Sequence, residues 1–168
     1  DKTPNDSRPW YEKLRRRIYR FPPCSYLDDT FYTLIKPGAG MPHIIVEYSS
    51  NLEDYLAIDQ LLRSIHQAAL THPTIPLAGL RTRAERRENY LIADGNSRHI
   101  FIAILVRLNA DRGDGPMIEV RDLVTDACRG VLSDLETEIP IALSVEVQGI
   151  NSKLRINENG VRSYMEKL

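Results

Sequence analysis

Residues 99–108 read HIFIAILVRL, an almost continuously apolar run in which Arg107 is the single fully charged residue. An apolar run of this length predicts a central strand that is buried on both faces of its sheet. Further along, apolar and polar residues alternate from Ile141 to Val147, which predicts a second strand. A region of helical periodicity lies between them, so we expect a β-α-β unit with parallel strands and a right-handed crossover.

The helix predicted for this unit begins near Pro116, because the first turn of a helix tolerates proline. Cys128 falls beside its apolar face, where we expect a packing role. After the second strand, residues 152–168 predict a polar tail with a turn at Asn159–Gly160. The apolar face of the helix recurs at three- and four-residue intervals and comprises Met117, Val120, Val124, Ala127, Val131 and Leu135.

An earlier part of the chain repeats this pattern. Pro42–Tyr48 (PHIIVEY) predicts a short strand, and Ser50 and Glu53 have the spacing of a capping box that starts a helix. The pair His72–Pro73 ends that helix. Its apolar face comprises Leu52, Tyr55, Ile58, Leu61, Leu62, Ile65 and Ala69.

Alternation over residues 77–86 predicts the next strand, and residues 89–93 predict a small hairpin arm closed by Asp94 and Gly95. The order is therefore β-α-β, hairpin, β-α-β and tail. This is an α/β fold with a four-stranded, mainly parallel or mixed sheet and both helices on one face. The other face needs cover, and we expect a further subunit to provide it.

Composition and charge exclude several classes of protein. The formal net charge is -1, so nothing demands nucleic acid or an anionic membrane as a partner. Cys24 and Cys128 have no metal or redox spacing, which is typical of a protein of the reducing cytoplasm. No apolar run reaches the roughly 20 residues that span a bilayer. The histidines show no metal-ligand spacing and no phosphate loop or dinucleotide motif is present, so we expect no cofactor.

Composition changes near Met41. Residues 1–41 hold five of the ten prolines and seven of the twelve aromatic residues, and Trp10–Phe21 predicts one short basic helix. This segment is open to three interpretations. It is a basic arm for a nucleic acid or membrane, an ordered extension that packs on the main domain, or no part of the functional protein. We favour the third and expect one domain over residues 42–168.

Five segments carry a resemblance to a known family. In this order and spacing the chain resembles 5-carboxymethyl-2-hydroxymuconate isomerases of the tautomerase superfamily, from Met41 to about Leu168. The resemblance implies a trimer of double β-α-β subunits. It also implies a cofactor-free isomerase of 4-hydroxyphenylacetate (homoprotocatechuate) catabolism that acts on a polycarboxylate. The segments are MPHIIVEYSSN from Met41, PLAGLRTR from Pro76, LIADG from Leu91, the Asn109–Arg112 loop, and ALSVEVQGIN from Ala142.

The resemblance further implies roles for three residues: Pro42 as the catalytic base, and Arg81 and Arg112 as ligands of the substrate. The implied reaction moves a proton from the oxygen of a 2-hydroxymuconate dienol to carbon, giving the conjugated ketone. A free N-terminal proline is a secondary amine, and burial beside cations lowers the pKa of such an amine toward neutrality. A guanidinium matches a carboxylate in a two-point fork and holds charge on a dienolate oxygen.

Each of these residues also has a plainer interpretation. Pro42 is tolerated at the start of a strand, Arg81 shares a polar strand face with Arg83, and Arg112 lies in a loop where it can be solvated. Pro42 has no basic nitrogen while residue 41 precedes it. The resemblance therefore predicts translation from Met41 with loss of that methionine, or cleavage before Pro42.

Two other functions stay open at this point. If residues 1–41 remain attached, the chain is a non-catalytic binding or assembly module of the same fold. If the substrate differs, it is a tautomerase for another enol such as phenylpyruvate, and the number of arginines in the pocket separates the two substrate classes.

Overall fold

The structure is a computed structural model and describes residues 40–135 and 137–167. The helix predicted at Trp10–Phe21, and all of the N-terminal extension up to residue 39, lie outside the described residues. No helix in the described part of the chain is long and apolar enough to cross a membrane.

Four strands form one mixed sheet: β1 His43–Ser49, β2 Arg81–Arg87, β3 Ile100–Asn109 and β4 Ile141–Ile150. Their order across the sheet is β2-β1-β3-β4. β1 runs parallel to β2 and β3 runs parallel to β4, whereas β1 and β3 are antiparallel. The fold is therefore two β-α-β units joined along β1 and β3. The predicted α/β double unit is confirmed, and the sheet is mixed.

Two helices, α1 Ile58–Leu70 and α2 Asp114–Leu132, cover one face of the sheet. The hydroxyl of Ser64 in α1 donates to the carbonyl of Ala127 in α2 at 3.4 Å. Each fully buried aliphatic side chain contributes about 1.5–3 kcal/mol to folding, so this layer stabilises the domain. Its core includes Ile44, Val46, Leu61, Ile65, Ile102, Ile104, Val120 and Val124.

The first helix begins later than the capping-box spacing predicts. Residues Ser50–Asp54 form a short 3-10 turn instead, and α1 starts at Ile58. The carboxylate of Glu53 accepts a hydrogen bond from the hydroxyl of Tyr48 at 2.6 Å and pairs with Arg86 at 3.1 Å. The predicted start was wrong because Glu53 serves contacts with neighbouring strands rather than the first turn of a helix.

The apolar face of α2 differs from the prediction in its second half. Cys128 and Leu132 are fully buried, whereas Ala127, Val131 and Leu135 are only partly buried. The buried face continues in steps of four residues from Val120 through Val124. The packing role predicted for Cys128 is thereby confirmed, and the stripe lies one residue further along than predicted.

Three other local predictions need correction. Leu77–Gly79 form a 3-10 turn, so β2 begins at Arg81. Residues 88–99, all of them described, contain turns and no hairpin. The carboxylate of Asp94 accepts from the backbone N–H of Asn96, which closes a local turn. The polar tail contains a short helix, α3 Gly160–Met165, and the side chain of Asn159 caps its start.

The sheet face opposite the helices is only partly covered by the described residues. Ile45, Phe101 and Leu105 point to this open face and are half-buried, while their strand neighbours on the helix side are fully buried. Tyr90 packs its ring edge-on against Phe101, with the ring centroids 5.9 Å apart. The prediction that both helices cover one face is confirmed.

Candidate active site

Basic side chains from separate parts of the chain lie together at one edge of the sheet, by which we mean a line of strand ends and not an outer strand. Because β1 and β3 are antiparallel, the beginnings of β1 and β2 lie at the same edge as the ends of β3 and β4. His43 pairs with Arg81 on one side and with Arg107 on the other. These three residues share the open face, and the Cβ atoms of such neighbours are about 4.5–5.5 Å apart.

Pro42 lies at this edge, immediately before β1, and is buried. Its carbonyl accepts a hydrogen bond from the backbone N–H of Arg81 at 3.0 Å. Gly79 lies beside this pair and packs closely on Pro76, since a Cβ there would lie only 2.8 Å from Cγ of Pro76, whereas it would make an ordinary contact of 3.5 Å with Cδ of Pro42. In the 168-residue chain the nitrogen of Pro42 is an amide with Met41 and has no basicity.

Arg81 begins β2 beside Pro42. Its Nη1 donates to the carbonyl of Gly79 at 2.9 Å, which turns the guanidinium back toward the Pro42 end of the sheet. The side chain is half-buried. The structure thus brings Pro42 and Arg81 together through the backbone pairing of β1 and β2.

Arg112 ends the 3-10 turn Ala110–Arg112 that follows β3. Its Nη1 donates to the carbonyl of Thr74, while its Nε is buried and has no hydrogen-bond partner among the described residues. Burial, and then the charge of Arg155, lower the pKa of Arg112.

The segment that contains Thr74, whose carbonyl accepts from Arg112, is itself connected to α2. One ring nitrogen of His72 lies 2.8 Å from the hydroxyl of Thr74, and the other lies 2.8 Å from the carboxylate of Glu119. His72 is 7% exposed and Glu119 is 67% exposed, so the imidazole is shielded from solvent and the carboxylate is not. Glu119 and His72 therefore fix the carbonyl of Thr74 that receives Arg112.

Two arginines at this edge, Arg107 and Arg155, are absent from the residues predicted from sequence. Arg107 lies near the end of β3, and its Nε is buried without a hydrogen-bond partner in the described chain. A signal for it existed, since it is the one full charge in HIFIAILVRL. Arg155 follows β4 in the tail, where no local pattern marks it. Its guanidinium lies against Gly40.

Arg81, Arg107, Arg112 and Arg155 are called the arginine cluster below. No carboxylate of the described residues lies within ion-pairing distance of any of them. By contrast, Arg83 pairs with Glu85 at 3.3 Å. Half-buried cations without an internal counter-ion are suited to binding an anion, because the ion pair compensates for the hydration that the cation loses on burial.

The cluster also acts on His43. Burial, followed by the charges of Arg81, Arg83, Arg107 and Arg155, lowers the pKa of His43. The imidazole is therefore neutral near pH 7, and the positive charge of the edge resides on the guanidinium groups.

The opposite edge of the sheet has a different character. A shallow cleft there is lined by Ile92, Ala93, His99, Ile100, Pro140, Ile141 and Ala142. His99 places a ring nitrogen 2.8 Å from the carboxylate of Asp94. Among the described residues, no three His, Cys, Asp or Glu side chains come together as metal ligands.

Fold and site together define an α/β protein of two fused β-α-β units, with unpaired arginines at the edge of the sheet where the buried Pro42 lies. The family model for 5-carboxymethyl-2-hydroxymuconate isomerase matches residues 42–165. The chain belongs to this family of isomerases. It is similar to the 5-carboxymethyl-2-hydroxymuconate Delta-isomerase of Escherichia coli, with 23% identity over 126 residues that cover 75% of this chain and 100% of that protein.

Solved structures show the same fold. The crystal structure of a 5-carboxymethyl-2-hydroxymuconate isomerase from Deinococcus radiodurans R1 matches with a TM-score of 0.70 and 23% identity, over 76% of this chain and 96% of that one. A second 5-carboxymethyl-2-hydroxymuconate delta-isomerase matches with a TM-score of 0.70 and 20% identity, over 76% and 95%. A fused 4-OT described as an asymmetric trimer matches with a TM-score of 0.50 and 15% identity, over 71% and 98%.

Proposed function

We propose that the protein is a cofactor-independent isomerase that moves a proton within a 2-hydroxymuconate-type dienol. The observation that carries the proposal is the arginine cluster, which has no carboxylate partner in the described chain and whose member Arg81 is hydrogen-bonded through its backbone to Pro42. The proposed substrate is 5-carboxymethyl-2-hydroxymuconate and the product is its conjugated keto isomer. The proposed setting is 4-hydroxyphenylacetate catabolism in the cytoplasm, where the two cysteines would stay reduced.

Pro42 is the proposed base once it is the N-terminal residue. Its secondary amine takes the proton of the enol hydroxyl and returns a proton to a carbon of the diene, so the reaction needs no oxidant or reductant. Burial and the neighbouring cations both disfavour a protonated amine, which keeps a usable fraction neutral near pH 7.

Arg81 and Arg112 are the proposed ligands of the substrate. Arg81 lies next to Pro42, where its guanidinium can hold the charge that develops on the dienolate oxygen. Arg112 is half-buried, is held through Nη1 by the carbonyl of Thr74 and has no carboxylate partner among the described residues, which suits a substrate carboxylate. Carboxylate recognition and charge stabilisation are thus supplied by side chains alone.

The proposal requires a chain that begins at Pro42, so residues 42–168 are the proposed isomerase domain and residues 1–41 an extension to be removed or not translated. Two observations support this division. The family match begins at residue 42, and 126 residues of this chain cover the whole length of the isomerase from Escherichia coli.

We also propose that the domain works as a homotrimer. The open sheet face leaves Ile45, Phe101 and Leu105 half-buried, and the tail exposes Leu154 and Ile156 almost fully. Apolar surface of this kind marks interaction surfaces, and closed cyclic assemblies are the usual way to cover it.

The test compares three chains: one that begins at Pro42, one that begins at a retained Met41, and the full 168 residues. Isomerisation of 5-carboxymethyl-2-hydroxymuconate is followed by ultraviolet absorbance. We expect activity only with a free Pro42, because the second chain differs by a single residue that acylates the nitrogen. Equal activity of all three would exclude Pro42 as the base. Activity of none would favour the non-catalytic alternative.

A further inference from the structure

Arg155 differs from its neighbours in the tail. It follows the 3-10 turn Ser152–Leu154 that ends β4. Leu154 is 83% exposed and Ile156 is 90% exposed, whereas Arg155 between them is half-buried. The backbone therefore turns this one side chain inward, toward the edge of the sheet that carries Pro42.

The contacts of Arg155 place its guanidinium against a residue that is close in the chain to Pro42. In the 168-residue chain a Cβ on Gly40 would overlap the guanidinium, so Arg155 lies against the residue two positions before Pro42. A chain that begins at Pro42 removes this neighbour of the guanidinium. The charge of Arg155 also contributes to lowering the pKa of both His43 and Arg112. Arg155 is the member of the arginine cluster that reaches both.

The segment that carries Arg155 is anchored independently of its charge. The amide of Asn159 donates to the carbonyl of Ala78 at 3.0 Å, next to the turn that approaches Pro42. The carbonyl oxygen of the same amide caps α3 by accepting from the N–H of Arg162 at 3.2 Å. Replacing the guanidinium should therefore leave the path of the backbone intact.

We propose that Arg155 determines specificity by binding a carboxylate of the substrate that is remote from the proton transfer, and so selects substrates with two or more carboxylates. The inference rests on the proposed function. In the proposed mechanism Arg81 holds the reacting oxygen and Arg112 holds one carboxylate. Of the two remaining members of the cluster, Arg107 has its Nε buried in β3. Arg155, in contrast, lies on the tail and its charge acts on both His43 and Arg112, so we assign Arg155 to a second carboxylate. A carboxylate–guanidinium fork supplies both the energy and the geometry for this selection.

The experiment uses chains that begin at Pro42 and two substrates, the dicarboxylate 2-hydroxymuconate and the monocarboxylate phenylpyruvate enol. Arg155→Met is expected to raise KM for 2-hydroxymuconate about tenfold or more, with a smaller change in kcat, and to alter kcat/KM for phenylpyruvate less than about twofold. Arg155→Lys should recover part of the affinity, since it keeps the charge and loses the fork.

Lys153→Met is the matched control, because it removes one positive charge from an exposed position in the same segment. Circular dichroism of each variant establishes that it folds. An equal loss for both substrates, or a change in Lys153→Met as large as in Arg155→Met, would overturn the assignment. If the unsubstituted chain isomerises no enol, the proposed function fails. If it is active and Arg155→Met is unchanged, only the inference about Arg155 fails.

Discussion

Arg81→Ala, in a chain that begins at Pro42, is expected to lower kcat/KM for 5-carboxymethyl-2-hydroxymuconate by about 100-fold or more. Arg81 begins β2 directly beside Pro42, and no carboxylate of the described chain neutralises it. The substitution removes a positive charge from the place where we propose that the dienolate oxygen becomes negative. The loss should therefore appear in kcat as well as in KM.

The magnitude follows from the contacts of the guanidinium. A hydrogen bond to a charged group contributes about 1.5–3 kcal/mol, and about 1.36 kcal/mol corresponds to a tenfold change in rate. Loss of a two-point contact therefore costs about 3 kcal/mol or more of transition-state stabilisation, which exceeds the value of about 2.7 kcal/mol that corresponds to a 100-fold loss. The fold loses only the bond from Nη1 to the carbonyl of Gly79, which contributes about 1 kcal/mol.

Arg83→Ala is the matched control for this assay. Arg83 lies two residues further along β2 on the same face, but it is 46% exposed and pairs with Glu85. We expect its kcat/KM to change less than about threefold, because an exposed ion pair contributes little. A change below about threefold for Arg81→Ala, or an equal change for both variants, would remove Arg81 from the mechanism.

Three further predictions concern other parts of the molecule. Burial, then the hydrogen bond to Glu53 and its charge, raise the pKa of Tyr48 to about 12 from 10.0. The stability that this phenol contributes is present below pH 10 and is lost as the pH rises toward 12. The denaturation midpoint of Tyr48→Phe should therefore fall less steeply with pH over this range than that of the unsubstituted chain. An equal dependence on pH in both proteins would contradict this. His72→Ala should raise KM about three- to tenfold with a smaller effect on kcat, since the Thr74 carbonyl that holds Arg112 loses its anchor. Steady-state kinetics of His72→Ala test this, with Glu119→Gln as the comparison because it keeps an oxygen acceptor for His72. An unchanged KM in His72→Ala would refute the prediction. Finally, sedimentation equilibrium should give a trimer, and a stable monomer at micromolar concentration would contradict the proposed cover of the open face.

The strands could be predicted from sequence because a two-residue period survives wherever one face is buried. Ile141, Leu143 and Val145 alternate in the sequence and also in burial. The start of α1 could not be predicted, because Glu53 has capping-box spacing yet accepts from Tyr48. Local spacing does not reveal which of two hydrogen-bond partners a carboxylate will choose.

The loop 88–99 shows the same limit. Asp94–Gly95 is a sound turn signal, and Gly95 does adopt a positive φ of 83°. The flanking residues nevertheless form no strands, because a turn fixes the local chain direction and does not by itself supply cross-strand partners.

The candidate site was predictable only in part. Pro42, Arg81 and Arg112 came from the resemblance to a family, and the structure shows why they lie at one edge. Arg107 was within reach, as a charge in an otherwise apolar strand. Arg155 was not, because its place depends on the parallel pairing of β3 with β4 and on the tail beyond it.

The two β-α-β units meet along an antiparallel pair, so the sheet has two ends that correspond to each other. Arg81 begins β2 at one end, and Ile141 begins β4 at the other, among the apolar residues Ile92, Pro140 and Ala142. Two separate, identical units would carry the same side chains at both ends. Fusion in a single polypeptide lets each end vary alone, so one end can carry four arginines while the other keeps a mostly apolar lining.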